Sequence, residues 1–195
     1  NAKDSTVSFK FAYSKKLANP LVDNLGTGYF TMCRLKNGHY VGLSGLCHSD
    51  IFHVLDSDLN IVKRFGGFPL DGLTTDGSTT NMTLSFMGNL VNHGNSIYYA
   101  ANKFGYIARY DITDDLEIKL VWENFYSKTD YRIDNRQVKF GSDNLHGFSG
   151  IAVGKDYIFT TFSGIPTQQM YKERSAYAVD AKTLAILTHD GKPIG

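Results

Sequence analysis

The chain has 195 residues, 42% hydrophobic and 13% aromatic, with 20 Lys+Arg against 19 Asp+Glu for a formal charge of +1. This composition excludes a disordered chain. The near-neutral balance argues against a nucleic-acid binder, which needs excess cations to neutralise phosphates, and no run of 18 apolar residues is present to span a membrane as a helix.

In chain order, the first expected element is a strand over Thr6 to Tyr13, carried by Val7-Ser8-Phe9-Lys10-Phe11. A start at Asn1 with neither an initiator Met nor a signal peptide reads as a processed or truncated N-terminus. From about Gly28 onward the chain alternates short runs of Val, Ile, Tyr, Phe and Thr with Gly, Asn and Asp, and it lacks helical periodicity beyond one or two turns. This pattern predicts an all-β protein.

Three segments then repeat one order of events. The first runs from the turn Leu35-Lys36-Asn37-Gly38 through His39 to Ser44, Ile51 to Asp56 and Ile61 to Phe65. The second runs from Val91-Asn92-His93-Gly94-Asn95 through Ser96 to Ala101, Tyr106 to Asp111 and Ile118 to Trp122. The third runs from Val153-Gly154-Lys155-Asp156 through Tyr157 to Ser163, Ala176 to Asp180 and Leu184 to Thr188. In each, a strand precedes a Gly-containing turn, and the third strand ends in Asp56, Asp111 or Asp180. The turn glycines lie 56 and 60 residues apart. A four-stranded antiparallel unit at this period is a propeller blade, so three blades are expected at about 28–67, 84–125 and 147–195. The glycines are expected where a hairpin demands positive φ. Because propellers close with about four to eight blades, the count predicts about half of a larger ring. Its open blade edges would allow self-association.

The Asp-rich turns look at first like calcium loops. Asp56, Asp58 and Asn60 alternate, yet Ile61 and Gly67 stand where an EF-hand needs Gly and Glu. The expectation is a hairpin whose Asp side chains bond nearby backbone N–H groups. Of the two cysteines, Cys33 lies in the apolar run Tyr29 to Cys33 and reads as a buried, inert thiol. Cys47 lies in a loop beside His48 with no third orienting group for a reactive pair.

The repeats also carry a family resemblance. Phe52-His53-Val54-Leu55-Asp56 followed by Ile61 to Pro69 is similar to the first blade of six-bladed, TolB-like propellers, typically lipoproteins of Bacteroidetes. Ile97 to Ala100, Gly105 to Ile107 and Arg109 to Asp111 fit the same pattern, as do Gly147 to Val153, Tyr157 to Phe159 and Asp190 to Ile194. The resemblance covers most of this chain and about half of the family's fold. It implies an exported, periplasmic or cell-surface protein, and no catalytic residue. Members typically carry an N-terminal lipidation cysteine that is not in this sequence, so the resemblance implies a lipid anchor only for a longer precursor.

In a propeller the loops from strand two to strand three, and from blade to blade, gather on the face that usually binds ligands. Here they are Gly45 to Asp50, Asn102 to Gly105, Gly164 to Ser175, Gly66 to Gly88 and Glu123 to Gly150. The last two exceed ordinary connection lengths. Candidate ligand-binding residues on these loops are His48, Asp50, Lys103, Tyr131, Arg132, His146, Tyr171 and Arg174. Tyr131 and Arg132 stand in the polar stretch Tyr126 to His146, which reads as a solvated loop able to orient a ligand. His146 is the leading titratable candidate because it precedes a strand at the channel mouth. His48 and Asp50 would meet a metal only with help from another loop.

There is no GxSxG, P-loop or dinucleotide fingerprint, and no catalytic residue, metal site or cofactor is assigned. The sequence reads as a non-catalytic platform for a glycan, peptide or partner protein. The alternative is a propeller hydrolase or lyase with its site at the channel mouth.

Overall fold

Short β-branched and aromatic runs separated by Gly, Asn and Asp form antiparallel meanders, because each apolar face must be covered by a neighbouring sheet. The computed structural model describes residues 29–44, 50–72, 83–134, 137–172, 181 and 183–194. The strand expected over 6–13, Cys47, His48, Arg174 and the strand expected over 176–180 lie outside them. The first sheet comprises β1 (Tyr29–Arg34), β2 (Tyr40–Ser44), β3 (Phe52–Leu55) and β4 (Ile61–Phe65). The second comprises β5 (Gly88–His93), β6 (Ser96–Ala101), β7 (Tyr106–Ile112) and β8 (Ile118–Phe125). A hairpin of β9 (Tyr131–Asp134) and β10 (Gln137–Phe140) follows. The third sheet holds β11 (Phe148–Val153), β12 (Tyr157–Phe162) and β13 (Thr183–Thr188), with helix α1 (Thr167–Lys172) in the connection before β13.

Strands are paired in chain order within every sheet. The leading strands pack side by side, β1 against β5 and β5 against β11. The protein is therefore all-β, with antiparallel sheets stacked as propeller blades are. No sheet closes on itself among the described residues, and none of their helices is long and apolar enough to cross a membrane.

Within the second sheet β6 and most of β7 are buried on both faces, and their period-two alternation divides the core. Ile97, Tyr99 and Ala101 of β6 join Val41, Leu43, Phe52 and Phe65 in one apolar cluster. The intervening Tyr98 and Ala100 join Phe148, Ile158 and Leu187 in another. Successive side chains point to opposite faces of a strand, so the continuous apolar run of β6 serves two interfaces at once.

The repeated hairpin between the third and fourth strands is built as expected in the first sheet. The Asp56 carboxylate accepts hydrogen bonds from the backbone N–H groups of Asp58 and Asn60 at 2.9 and 2.8 Å. The other two need correction. Asp111 lies inside β7, and its turn begins at Thr113, whose N–H donates to Glu117 O at 2.9 Å. In the third sheet both neighbours of β12 are taken, by β11 and β13. Residues 183–188 therefore fill the third-strand place that the repeat assigned to 176–180, and the turn begins at Thr188, whose N–H donates to Lys192 O at 2.9 Å. Only three strands of that sheet are described; Ile194 N–H donating to Ile186 O, and the bridge from Leu187 to Pro193, turn the chain back along β13.

Aligned this way, Leu59, Leu116 and Gly191 all take the left-handed conformation at the same turn position, with φ of 63°, 65° and 80°. Of the turn glycines, Gly38 and Gly94 have the expected positive φ and Gly154 does not. The polar stretch read as a solvated loop folds as the β9–β10 hairpin, because Tyr131, Val138 and Phe140 pack on the first core cluster.

Candidate binding cleft

Beside the β9–β10 hairpin lies a cleft of about 610 Å³ on the loop-bearing face. Its walls come from four separated segments: Ser85 before β5, Lys103 between β6 and β7, the stretch from Arg132 to His146, and Thr167 and Tyr171 of α1.

Three backbone connections set this geometry. Gly147 N–H donates to Asn102 O at 2.9 Å, laying the chain across the β6–β7 loop. A Cβ at Gly147 would stand 2.0 Å from Phe104 O and 2.2 Å from Ala101 O, so glycine alone permits this crossing. One residue earlier, His146 N–H donates to Ile165 O at 2.9 Å, joining the crossing to the strand-exit loop before α1. Asn144 links the walls: its amide donates to Lys103 O at 2.9 Å, and its carbonyl accepts from Thr167 N–H at 2.9 Å and the Thr167 hydroxyl at 3.1 Å. Asn144 is 1% exposed and its side-chain oxygen has no hydrogen-bond partner among the described residues.

The charges in the cleft share one sign. Lys103, Arg132 and Lys139 line it with His146, and no carboxylate does so among the described lining residues. Arg132 and Lys139 stand directly opposite each other in the β9–β10 register. Like charges in that relation destabilise a strand pair. Lys139 offsets part of this through an ion pair with Asp134 at 3.0 Å, and Lys139 and then Arg132 hold the exposed Asp134 carboxyl below its ordinary value.

His146 is 6% exposed. Burial first, and the Lys103 cation second, push its imidazole down to about 4, against the opposing influence of a hydrogen bond to the Asn102 backbone. It is therefore neutral near pH 7 and contributes hydrogen-bonding capacity without charge.

Four of the eight predicted residues, Lys103, Arg132, His146 and Tyr171, converge on this cleft. Tyr131 turns to the other side, packing on the core and donating its hydroxyl to Asp71 O at 3.1 Å. Asp50 is half-buried before β3 and does not line the cleft. No group of three His, Cys, Asp or Glu side chains able to hold a metal is present among the described residues. Cys33 is half-buried, and burial pushes its thiol up to about 12, as suits an inert thiol.

Sequence reasoning missed Ser85, Ser142, Thr167 and the connecting Asn144. The alternation Tyr131-Arg132-Ile133-Asp134 and Gln137-Val138-Lys139-Phe140 was the available signal for the hairpin that presents Arg132 and Lys139 together. The chain matches no protein-family model and no curated protein.

Proposed function

We propose that the protein is a non-catalytic binding module whose ligand, a glycan, peptide or segment of a partner protein, occupies the cleft beside β9–β10. The observation that carries this reading is the convergence of Lys103, Arg132, His146 and Tyr171 from separated segments on one cavity of about 610 Å³. A volume of that size, with a few convergent polar groups on an apolar base, suits a ligand of moderate size. The chemistry of the lining favours binding over hydrolysis. No carboxylate lines the cleft among the described residues, and His146, with its pKa near 4, is a weak base at pH 7. The likeness of the repeats to TolB-like propellers supports an exported or cell-envelope setting and a ring of six blades.

The test is amide chemical-shift mapping of the isotopically labelled chain against neutral saccharides, acidic saccharides and short peptides. Shifts clustered at Lys103, Gly141, Ser142, His146 and Thr167 are expected with at least one class. Shifts confined to other surfaces, or none with any class, would overturn the reading.

A further inference from the structure

The opposed Arg132 and Lys139 are hard to explain as packing. Register places them face to face on one side of a two-stranded hairpin, where like charges weaken pairing. Lys103 adds a third cation from the β6–β7 loop on another wall. The Asp134 carboxylate, 3.0 Å from Lys139, relieves part of this arrangement, and an anion between the cations relieves it further, because Arg132 and Lys103 then gain charge-assisted hydrogen bonds.

The remaining lining narrows the class of anion. Ser85 and Ser142 add short hydroxyl side chains to the lining, suited to a polyhydroxylated ring. Tyr171 stands at the rim with its side chain 80% exposed, offering the negative face of an aromatic ring to the C–H groups of a sugar. A peptide held as an added strand would instead need free backbone groups along one wall. Here the backbone N–H groups of His146, Gly147, Thr167 and Gln168 are already donated within the protein, so an added strand has only the outer edges of the two-stranded β9–β10 hairpin to pair with.

We infer that the cleft recognises a carboxylate-bearing saccharide, with the carboxylate held among Lys103, Arg132 and Lys139 and the sugar ring lying against Tyr171. This rests on the cleft being the ligand site. Neutral His146 completes the lining as a hydrogen-bonding group and leaves the positive potential to the three longer side chains.

The experiment titrates the full chain, by calorimetry and by the same amide mapping, with glucuronate, galacturonate and mannuronate oligosaccharides. Neutral hexose oligosaccharides of equal length and a short poly-Glu peptide serve as comparators. At least one uronate series is expected to bind at the cleft, with its neutral counterpart about tenfold or more weaker. Arg132→Gln and Lys103→Gln should each weaken binding about tenfold, the loss expected for one charge-assisted contact. Arg132 is exposed, so its variant tests the inference even if the half-buried Lys103 position disturbs folding. Added salt should weaken the uronate and leave any neutral sugar unchanged. Equal binding of neutral and acidic saccharides at the cleft would overturn the carboxylate inference and leave the cleft reading standing. Binding of poly-Glu without any uronate would overturn the saccharide class, and absence of uronate binding would overturn the inference outright. Shifts away from the cleft with every ligand would sink the proposed function with it.

Discussion

The two interfaces flanking the second sheet are built from different chemistry. Against the first sheet the contact is aromatic. Phe52 is fully buried and meets the rings of Phe65, Tyr99 and Tyr110 at centroid distances of 5.1, 5.2 and 5.6 Å. Against the third sheet an apolar patch is joined to a polar clasp centred on His189. Its Nε2 faces the Gly154 and Lys155 carbonyls at 3.2 and 3.1 Å, and carbonyls only accept, so Nε2 carries the hydrogen. In the neutral ring Nδ1 then accepts from the Tyr98 hydroxyl at 2.8 Å. The His189 carbonyl accepts from Arg109 at 3.0 Å and from Trp122 at 2.9 Å. The first interface is centred on ring packing, with polar bonds such as Asn92 to Arg34 O and Lys63 to Leu116 O at 2.9 and 2.7 Å beside it, whereas the second adds to its apolar patch a clasp of directional bonds spread over side chain and backbone. The first should be damaged most by loss of volume. The second should tolerate loss of one side chain, because half of its clasp is main chain.

The largest expected effect breaks the aromatic side. Phe52→Ala removes a fully buried ring at the centre of that cluster and should cost about 4 kcal/mol in urea denaturation. A loss below about 2 kcal/mol would show that the interface collapses around the gap and that the rings are not its main support.

Next comes the connection between the second and third sheets. The folded state holds His146 down to about 4, while the unfolded chain takes up a proton near 6.5. The folded pKa lies below the unfolded one, so this contribution is complete above about pH 6.5 and is lost as pH falls toward 4. The loss is on the order of 2–3 kcal/mol. His146→Gln should flatten that slope in denaturation at pH 7, 6, 5 and 4.5. An unchanged slope would assign the acid sensitivity to another group.

His189→Ala sharpens the contrast. It removes the partner of Tyr98 and leaves the backbone carbonyl that serves Arg109 and Trp122, so about 1–2 kcal/mol is expected. A loss as large as that of Phe52→Ala would mean the clasp is organised by the imidazole alone.

The smallest effects lie in the repeated turns. Gly191→Ala should cost about 1–2 kcal/mol, because φ is 80° and the new Cβ would stand 2.8 Å from the Trp122 ring. Leu59→Gly should change stability by less than about 1 kcal/mol. Relief of positive φ there opposes the entropy of glycine and the loss of a half-buried side chain. Reversed magnitudes would show that the third turn is the more adaptable one.

Much of this fold was legible in the chain. The order of strands in the first two sheets follows from period-two runs and turn residues, which are local properties. The side chain of Asp56 bonding its own turn is equally local. The third repeat was misread because its insertion between Phe162 and Thr183 offered Ala176 to Asp180 as a plausible third strand. Only the pairing of β12 with β13 assigns that place to residues 183–188. The aligned left-handed position was hidden for a related reason. Leucine at Leu59 and Leu116 gives no local sign of positive φ, and Gly191 alone does.

The cleft divides in the same way. Lys103, Arg132, His146 and Tyr171 could be named as loop residues of a blade face, because blade order determines which connections share a face. Their convergence could not, since it depends on the β9–β10 hairpin folding onto the core and on Asn144 joining the Lys103 loop to Thr167. Tyr131 and Arg132 are neighbours in sequence and part company because successive side chains of a strand point to opposite faces. By itself the sequence determined the all-β class and the blade-like strand order of the first two sheets, because periodicity and turn chemistry act within a few residues. Tertiary structure alone decided the register of the third sheet, the opposition of Arg132 to Lys139 and the neutrality of His146, because each depends on groups brought together by packing between segments.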